Sequence, residues 1–216
     1  KSSHKDQTYA LYNLTQDQLS RTLMPVGDYE KDEIREIAKK FNLRVANKPD
    51  SQEICFVSDN DYASFVESEI GKKMPEGNFV TADGEILGKH KGILHYTIGQ
   101  RKGLGIALGH PIFVTEIRPE TNEVVIGENE DVFGYSLEAN NLNAMAVEKF
   151  FDGMRAVGKI RYSHKGEYCT VKVLGEDRIR IDFDEKVRAI TPGQAVVLYD
   201  ESGLVLGGGT IIKRCD

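Results

Sequence analysis

In Arg178-Ile179-Arg180-Ile181-Asp182-Phe183 every second residue is apolar and each of its neighbours is charged. Successive side chains of a strand point to opposite faces. This stretch therefore predicts a strand with Ile179, Ile181 and Phe183 on a core and its charges in water. Cys169, Val171 and Val173 share one face by the same spacing. Gly207-Gly208-Gly209 predicts a bulge or a close backbone approach before the last strand. Six or so short strands from about Ala139 onward predict a small barrel.

Upstream of the barrel the period of two persists back to about residue 72. Phe79-Val80-Thr81-Ala82, Asp83-Gly84 and Glu85-Ile86-Leu87 read as a hairpin, with Asp-Gly suited to a type I′ turn. Ile93 to Ile98, Ile112 to Ile117 and Val124 to Ile126 read as further strands, with Pro119-Glu120-Thr121-Asn122 turning between the last two. Before residue 72 the period becomes helical. Thr15 and Gln18 form a capping box, with Leu14 and Leu19 placed for a hydrophobic staple. Ile34, Ile37, Ala38 and Phe41 make one apolar stripe of a helix from about Glu30 to Asn42. Ser58 and Asp61 can cap a third helix with stripe Tyr62, Phe65, Val66 and Ile70. The expected fold class is α+β and mainly β, in three parts: 1–71, 72–138 and 139–216.

Composition excludes several classes. Of 216 residues, 40% are hydrophobic and 29% charged, enough for cores without disorder. No apolar run approaches the ~20 residues of a membrane span. The first residues hold no apolar signal-peptide core; the chain begins as an internal piece of a longer one would. Cys55, Cys169 and Cys215 are too scattered for a disulfide framework and form no Cys-x-x-Cys, so a reducing cytoplasm is expected. The five histidines show no metal-ligand spacing, and no metal site is expected; His95, inside a strand pattern, reads as packed. Net charge is −6, yet nine Lys/Arg fall between Arg155 and Arg188 against six acids. The barrel is thus locally basic in an acidic chain.

Three features could carry chemistry. Cys55, where a polar loop enters an apolar run, reads more often as a buried structural thiol than as an accessible thiolate; the residues alone do not decide. Gly99-Gln100-Arg101-Lys102-Gly103-Leu104-Gly105 is neither a Walker loop nor a dinucleotide fingerprint. It is a basic loop for a polyanion or an ordinary inter-strand loop. Lys159-Ile160-Arg161-Tyr162 offers phosphate forks beside a stacking face, or a solvated hairpin. Cys169 faces the expected core, and Cys215 sits at an end expected to fray.

Lys5-Asp6-Gln7-Thr8-Tyr9, Pro25-Val26-Gly27, Asp50-Ser51-Gln52-Glu53-Ile54-Cys55-Phe56, the Gly92–Gly105 stretch and Thr191-Pro192-Gly193-Gln194 together resemble the tRNA-specific 2-thiouridylases in order and spacing. The resemblance implies that 1–71 is the helical tail of an α/β ATP-pyrophosphatase domain, 72–138 a small central β-domain and 139–216 a translation-factor-like β-barrel. It implies transfer of sulfur to C2 of the wobble uridine of a tRNA after ATP adenylates the C2 oxygen. Cys55 then matches the persulfide carrier, fed by a cysteine desulfurase relay, and a disulfide bond joins the implied features. Lys5, Asp6 and Gln7 match tRNA contacts of the catalytic domain; Arg161, Tyr162 and Gln194 match tRNA contacts of the barrel. These residues include neither the family's Ser-Gly-Gly-x-Asp-Ser loop nor its first catalytic cysteine. ATP is expected to be co-substrate of the full-length enzyme only, and this stretch alone is expected to be inactive. Two other readings are a free-standing tRNA- or ribosome-binding module and a scaffold packing through its N-terminal helices. An exposed apolar face on 1–71 would fit a truncated enzyme or a scaffold.

Overall fold

The structure, a computed structural model, describes residues 6–47, 57 and 61–216. Lys5, Cys55 and Ser58 lie outside the described residues. Four short helices come first: α1 (Thr8–Leu11), α2 (Gln16–Ser20), α3 (Lys31–Lys40) and α4 (Tyr62–Ile70). The capping box opens α2 as its residues demand: the Thr15 hydroxyl accepts from the Gln18 N–H and the Gln18 side chain accepts from the Thr15 N–H. In α3 the Glu33 carboxylate accepts from the Glu30 N–H, with acids in the first turn and Lys39 and Lys40 in the last, opposing the helix dipole.

The apolar stripes of these helices are not buried as the spacing predicts. Phe41 is 73% exposed, Tyr62 and Ile70 are exposed, and the one buried residue of α4 is Ala63. Leu23, Met24, Val26, Leu43 and Val45 are exposed as well. Periodicity marks a face that wants cover, and among the described residues that cover is mostly lacking.

The central part is a four-stranded sheet of order β2-β1-β4-β3, built from β1 (Gly77–Val80), β2 (Ile86–His90), β3 (Phe113–Arg118) and β4 (Glu123–Gly127). β1 pairs antiparallel with β2 but parallel with β4. The hairpin forms where expected, but its turn is different. Gly84 alone has positive φ, +88°, and its N–H bonds the Thr81 carbonyl while Thr81 N–H bonds Glu85. This is a three-residue loop with a glycine bulge, because Asp83 keeps the ordinary negative φ that type I′ would forbid. The expected strand at Ile93–Ile98 is instead a 3-10 turn over Ile93–His95 followed by loop. Tyr96 from that loop packs edge-on to Phe79 and His90 in the sheet's core.

His90 is 2% exposed and fully partnered: its Nδ1 accepts from Gly92 N–H, so Nε2–H donates to the Asn122 carbonyl at 3.1 Å. Burial lowers its pKa from the ordinary 6.5. The unfolded chain therefore takes up a proton below pH 6.5 that the folded ring refuses. His90 contributes its full stability above that pH and loses it as pH falls through the depressed folded value. His164, half-buried and with its pKa lowered chiefly by desolvation, acts with the same sign. Denaturation midpoints measured from pH 7 to 5 are expected to fall with pH, and His90→Gln is expected to flatten that fall without abolishing it. An unchanged slope in the variant would remove His90 from the account.

The third part is a closed barrel, β10-β5-β8-β7-β6-β9. Its strands are β5 (Phe133–Ala144), β6 (Met154–Lys159), β7 (Glu167–Gly175), β8 (Arg178–Arg188), β9 (Ala195–Tyr199) and β10 (Val205–Arg214). The boundary expected at 138/139 falls inside β5, whose pairing with β8 begins at Phe133. Ile179, Ile181 and Phe183 face the core with Leu137, Val171, Leu198 and Ile211, as the alternation requires. Each such side chain contributes ~1.5–3 kcal/mol by leaving water. The three glycines lie within β10 rather than before it, with the register shifting just before them, between Val205 and Gly207, and at Gly209, between Gly208 and Thr210. The mainly β architecture with a closed C-terminal barrel agrees with the expected fold class.

Candidate nucleic-acid interface

The N-terminal segment is fastened to one end of the barrel. The Tyr9 hydroxyl donates to the Ala195 carbonyl at 2.8 Å, and the Tyr9 ring meets Tyr162 edge-on at 6.4 Å. The Tyr12 ring is buried against Val197 and Tyr199. The amide of Asn143 donates to the Tyr12 and Leu14 carbonyls, and Gln16 donates to the Met145 carbonyl at 2.8 Å. Asp6 accepts from both the N–H and the hydroxyl of Thr8, which starts α1. Together these contacts bring Asp6 and Gln7, Arg161 and Tyr162, and Gln194 to one surface, although they lie up to 188 positions apart in sequence.

Each of these residues is held differently. Arg161 is half-buried and its Nη1 donates to the Arg188 carbonyl at 2.6 Å. Tyr162 is 53% exposed, a ring with a free face. Gln194 is exposed on a turn whose backbone is stitched to Ile211 in both directions. His164 is kept neutral by burial first and by neighbouring Arg161 second, so it adds no charge near pH 7. Tyr9 and Tyr199 have raised pKa values, chiefly from burial, and both rings stay protonated.

Sequence reasoning gave no separate role to three members of this surface. Tyr9 stands in a quoted motif but was given no role; its hydroxyl reach to Ala195 has no sequence signal. Lys159 lies over the Tyr199 ring at 4.9 Å. Arg188 lies over Phe113 and donates to the Gly99 carbonyl at 3.2 Å, tying the central sheet to the barrel. The charge count also misled in part. Arg155, Arg178 and Arg180 are neutralised by Asp184, Glu138 and Asp182 respectively. Among the described residues, Lys159, Arg161 and Arg188 at the Tyr9 end are in no ion pair, nor are Lys165, Lys172 and Lys186, so part of the basic excess stays unneutralised at that end.

Of the two described cysteines, Cys169 is buried, with burial pushing its pKa up to about 12. Cys215 was expected to fray but does not. Its N–H bonds the Ser136 carbonyl at 3.1 Å, and burial followed by Glu138 raises its pKa. A cleft of about 870 Å³ opens between the sheet and the barrel, lined among others by Glu116, Asp131, Thr191, Lys213 and Arg214. Its charges are mixed, and Arg214 is occupied by the Asp131 carbonyl and the Asp216 carboxylate. No helix among the described residues is long and apolar enough to cross a membrane.

Family comparisons match three consecutive stretches of the chain. Residues 1–59 match the tRNA methyl transferase HUP domain, 63–128 the tRNA methyl transferase PRC-barrel domain and 136–211 the aminomethyltransferase beta-barrel domain. The class is that of chains in which these three domain types follow one another. Curated relatives give a finer name than these domain descriptions. The tRNA-specific 2-thiouridylase MnmA of Lachnoclostridium phytofermentans is 66% identical over 209 residues, 97% of this chain and 58% of the relative. Those of Clostridioides difficile and Carboxydothermus hydrogenoformans are 57% and 53% identical over 97% of this chain, and 58% and 57% of their own lengths. The chain belongs to the tRNA-specific 2-thiouridylase family and spans under three fifths of the length of these relatives.

Proposed function

We propose that this chain supplies the sulfur-carrying cysteine and much of the tRNA-contacting surface of a 2-thiouridylase acting on the wobble uridine. The observation that carries this reading is the convergence of Asp6-Gln7, Arg161-Tyr162 and Gln194 at one barrel end, held there by Tyr9 and Tyr12. Exposed aromatic faces beside unpaired cations suit splayed bases and their phosphates. Lys5 is a further tRNA contact in this reading.

The chemistry follows from what each group can do. ATP, the co-substrate of the full-length enzyme, activates the C2 oxygen as a leaving group. A persulfide on Cys55 attacks C2 through its terminal sulfur, and the adenylate leaves. A second cysteine thiolate then attacks the Cys55 sulfur, releasing the thiolated base and forming a disulfide that a thiol reductant must reopen. A persulfide donor of the cysteine desulfurase type reloads Cys55. Exposed Leu23, Phe41 and Val45 support a truncated-enzyme reading over a free-standing module, because an apolar face of this kind is made to be covered. In this reading the cover comes from the remainder of the longer polypeptide that the relatives have, and the enzyme works in the cytoplasm.

Arg161→Ala with Tyr162→Ala tests the interface. Loss of a stacking ring costs ~1–3 kcal/mol, and loss of a phosphate contact lowers the salt slope by about one. tRNA affinity measured across a salt series is expected to fall accordingly. An unchanged affinity and slope would show that the barrel end is not the contact surface.

A further inference from the structure

We infer that the Gly99–Gly105 loop of the central sheet is a second phosphate-binding element for the same RNA, joined to the barrel surface through Arg188. This inference rests on the tRNA reading above and extends it to a domain to which no contact has been assigned.

Three observations carry it. First, the loop is built rather than slack. The Gln100 side chain accepts from Thr97 N–H at 3.0 Å and donates to the Lys102 carbonyl at 2.9 Å, while its backbone pairs with Val114. Leu104, 5% exposed, plugs the loop into the sheet's core. Second, this bracing leaves Arg101 and Lys102 exposed at its tip, and among the described residues neither is in an ion pair. Two adjacent exposed cations on a braced loop, without a carboxylate partner, are left available to meet a polyanion. Counterion release then rewards the contact. Third, the loop is continuous with the barrel surface. Arg188 donates to the Gly99 carbonyl, and its own carbonyl accepts from Arg161. One residue therefore touches both the basic loop and the Arg161-Tyr162 pair. Through Arg188 the unneutralised Arg161 is linked to the loop that carries Arg101 and Lys102, whereas Arg155, Arg178 and Arg180 are already paired.

The scaffold of the loop uses the Gln100 side chain and the Lys102 backbone, so Arg101→Ala with Lys102→Ala removes charge and leaves the bracing in place. In the full-length enzyme this double variant is expected to melt like wild type, bind tRNA roughly tenfold more weakly, and show a salt slope shallower by about two. Wild-type affinity and slope in this variant, while Arg161→Ala with Tyr162→Ala still weakens binding, would overturn the loop's role alone. If neither pair of substitutions changes binding, the barrel-end interface fails and this inference fails with it. An affinity loss with an unchanged salt slope would also overturn it, because a phosphate contact must register in the slope.

Discussion

Replacing Cys55 by serine in the full-length enzyme is expected to lower sulfur transfer by at least ~10³-fold, with tRNA binding and adenylation left intact. A hydroxyl cannot carry a persulfide, and neither of the other cysteines in this chain can take over. Cys169 lies in the barrel core with its pKa near 12, its Sγ donating to the Ala156 carbonyl. Cys215 is held in the β5 pairing, its thiol facing the Glu138 carboxylate, which opposes a thiolate. A carrier thiol needs thiolate character near neutral pH, below the ~8.5 of a free cysteine, and access for its donor. Iodoacetamide is therefore expected to label Cys55 well before Cys169, with Cys215→Ser as the background chain. Because Cys215 is tied down, its own labelling in the unsubstituted chain is expected to be small. A Cys55→Ser enzyme that thiolates tRNA at the normal rate would remove the persulfide mechanism.

What could be read from the residues, and what could not, divides along the range of the interactions. Alternation in Arg178–Phe183 placed three side chains in the core because a strand's period is local and barrel closure preserves it. The Thr15–Gln18 box formed because it is complete within four residues. The failures involve partners distant in sequence or cover absent from the described residues. Ile93–Ile98 has strand-like residues, yet β1 takes β4 as its parallel neighbour and Tyr96 is used as a core plug. The stripes of α3 and α4 were legible, but what covers them was not. At the barrel end, motif order brought out Asp6, Arg161, Tyr162 and Gln194. The residues that assemble them, Tyr9, Tyr12 and Arg188, act through backbone carbonyls and ring contacts across the fold, which leave no pattern in a sequence. Charge counting likewise could not tell that Arg155 and Arg180 are neutralised while Arg161 is not.

Gly208→Val is expected to damage both the barrel and the RNA surface, since one atom position serves both. A Cβ at Gly208 would stand 2.4 Å from the Val196 carbonyl oxygen and 2.7 Å from the Tyr12 ring. Val196 belongs to β9, whose pairing with β10 helps close the barrel, so the backbone can yield only by opening that seam. The alternative is to expel Tyr12. That would strip the ring from Val197 and Tyr199, loosen α1, and release the Tyr9 contact that places Asp6 and Gln7 beside Tyr162. Overpacking of this kind costs ~1–3 kcal/mol before any hydrogen bond is lost, and a branched residue belongs at the upper end. At ~2–4 °C per kcal/mol for a chain of this size, Tm is expected to drop by about 6–12 °C, with tRNA affinity falling alongside. Gly175→Ala, where an added Cβ meets nothing within 4 Å, is the matching control and is expected to melt like wild type. Combining Gly208→Ala with Tyr12→Ala separates the two routes. If the ring is what the new methyl meets, the pair costs less than the sum of the single changes. Strict additivity would place the whole cost in the β9–β10 seam, and a Gly208→Val chain melting at the wild-type temperature would refute the close packing itself.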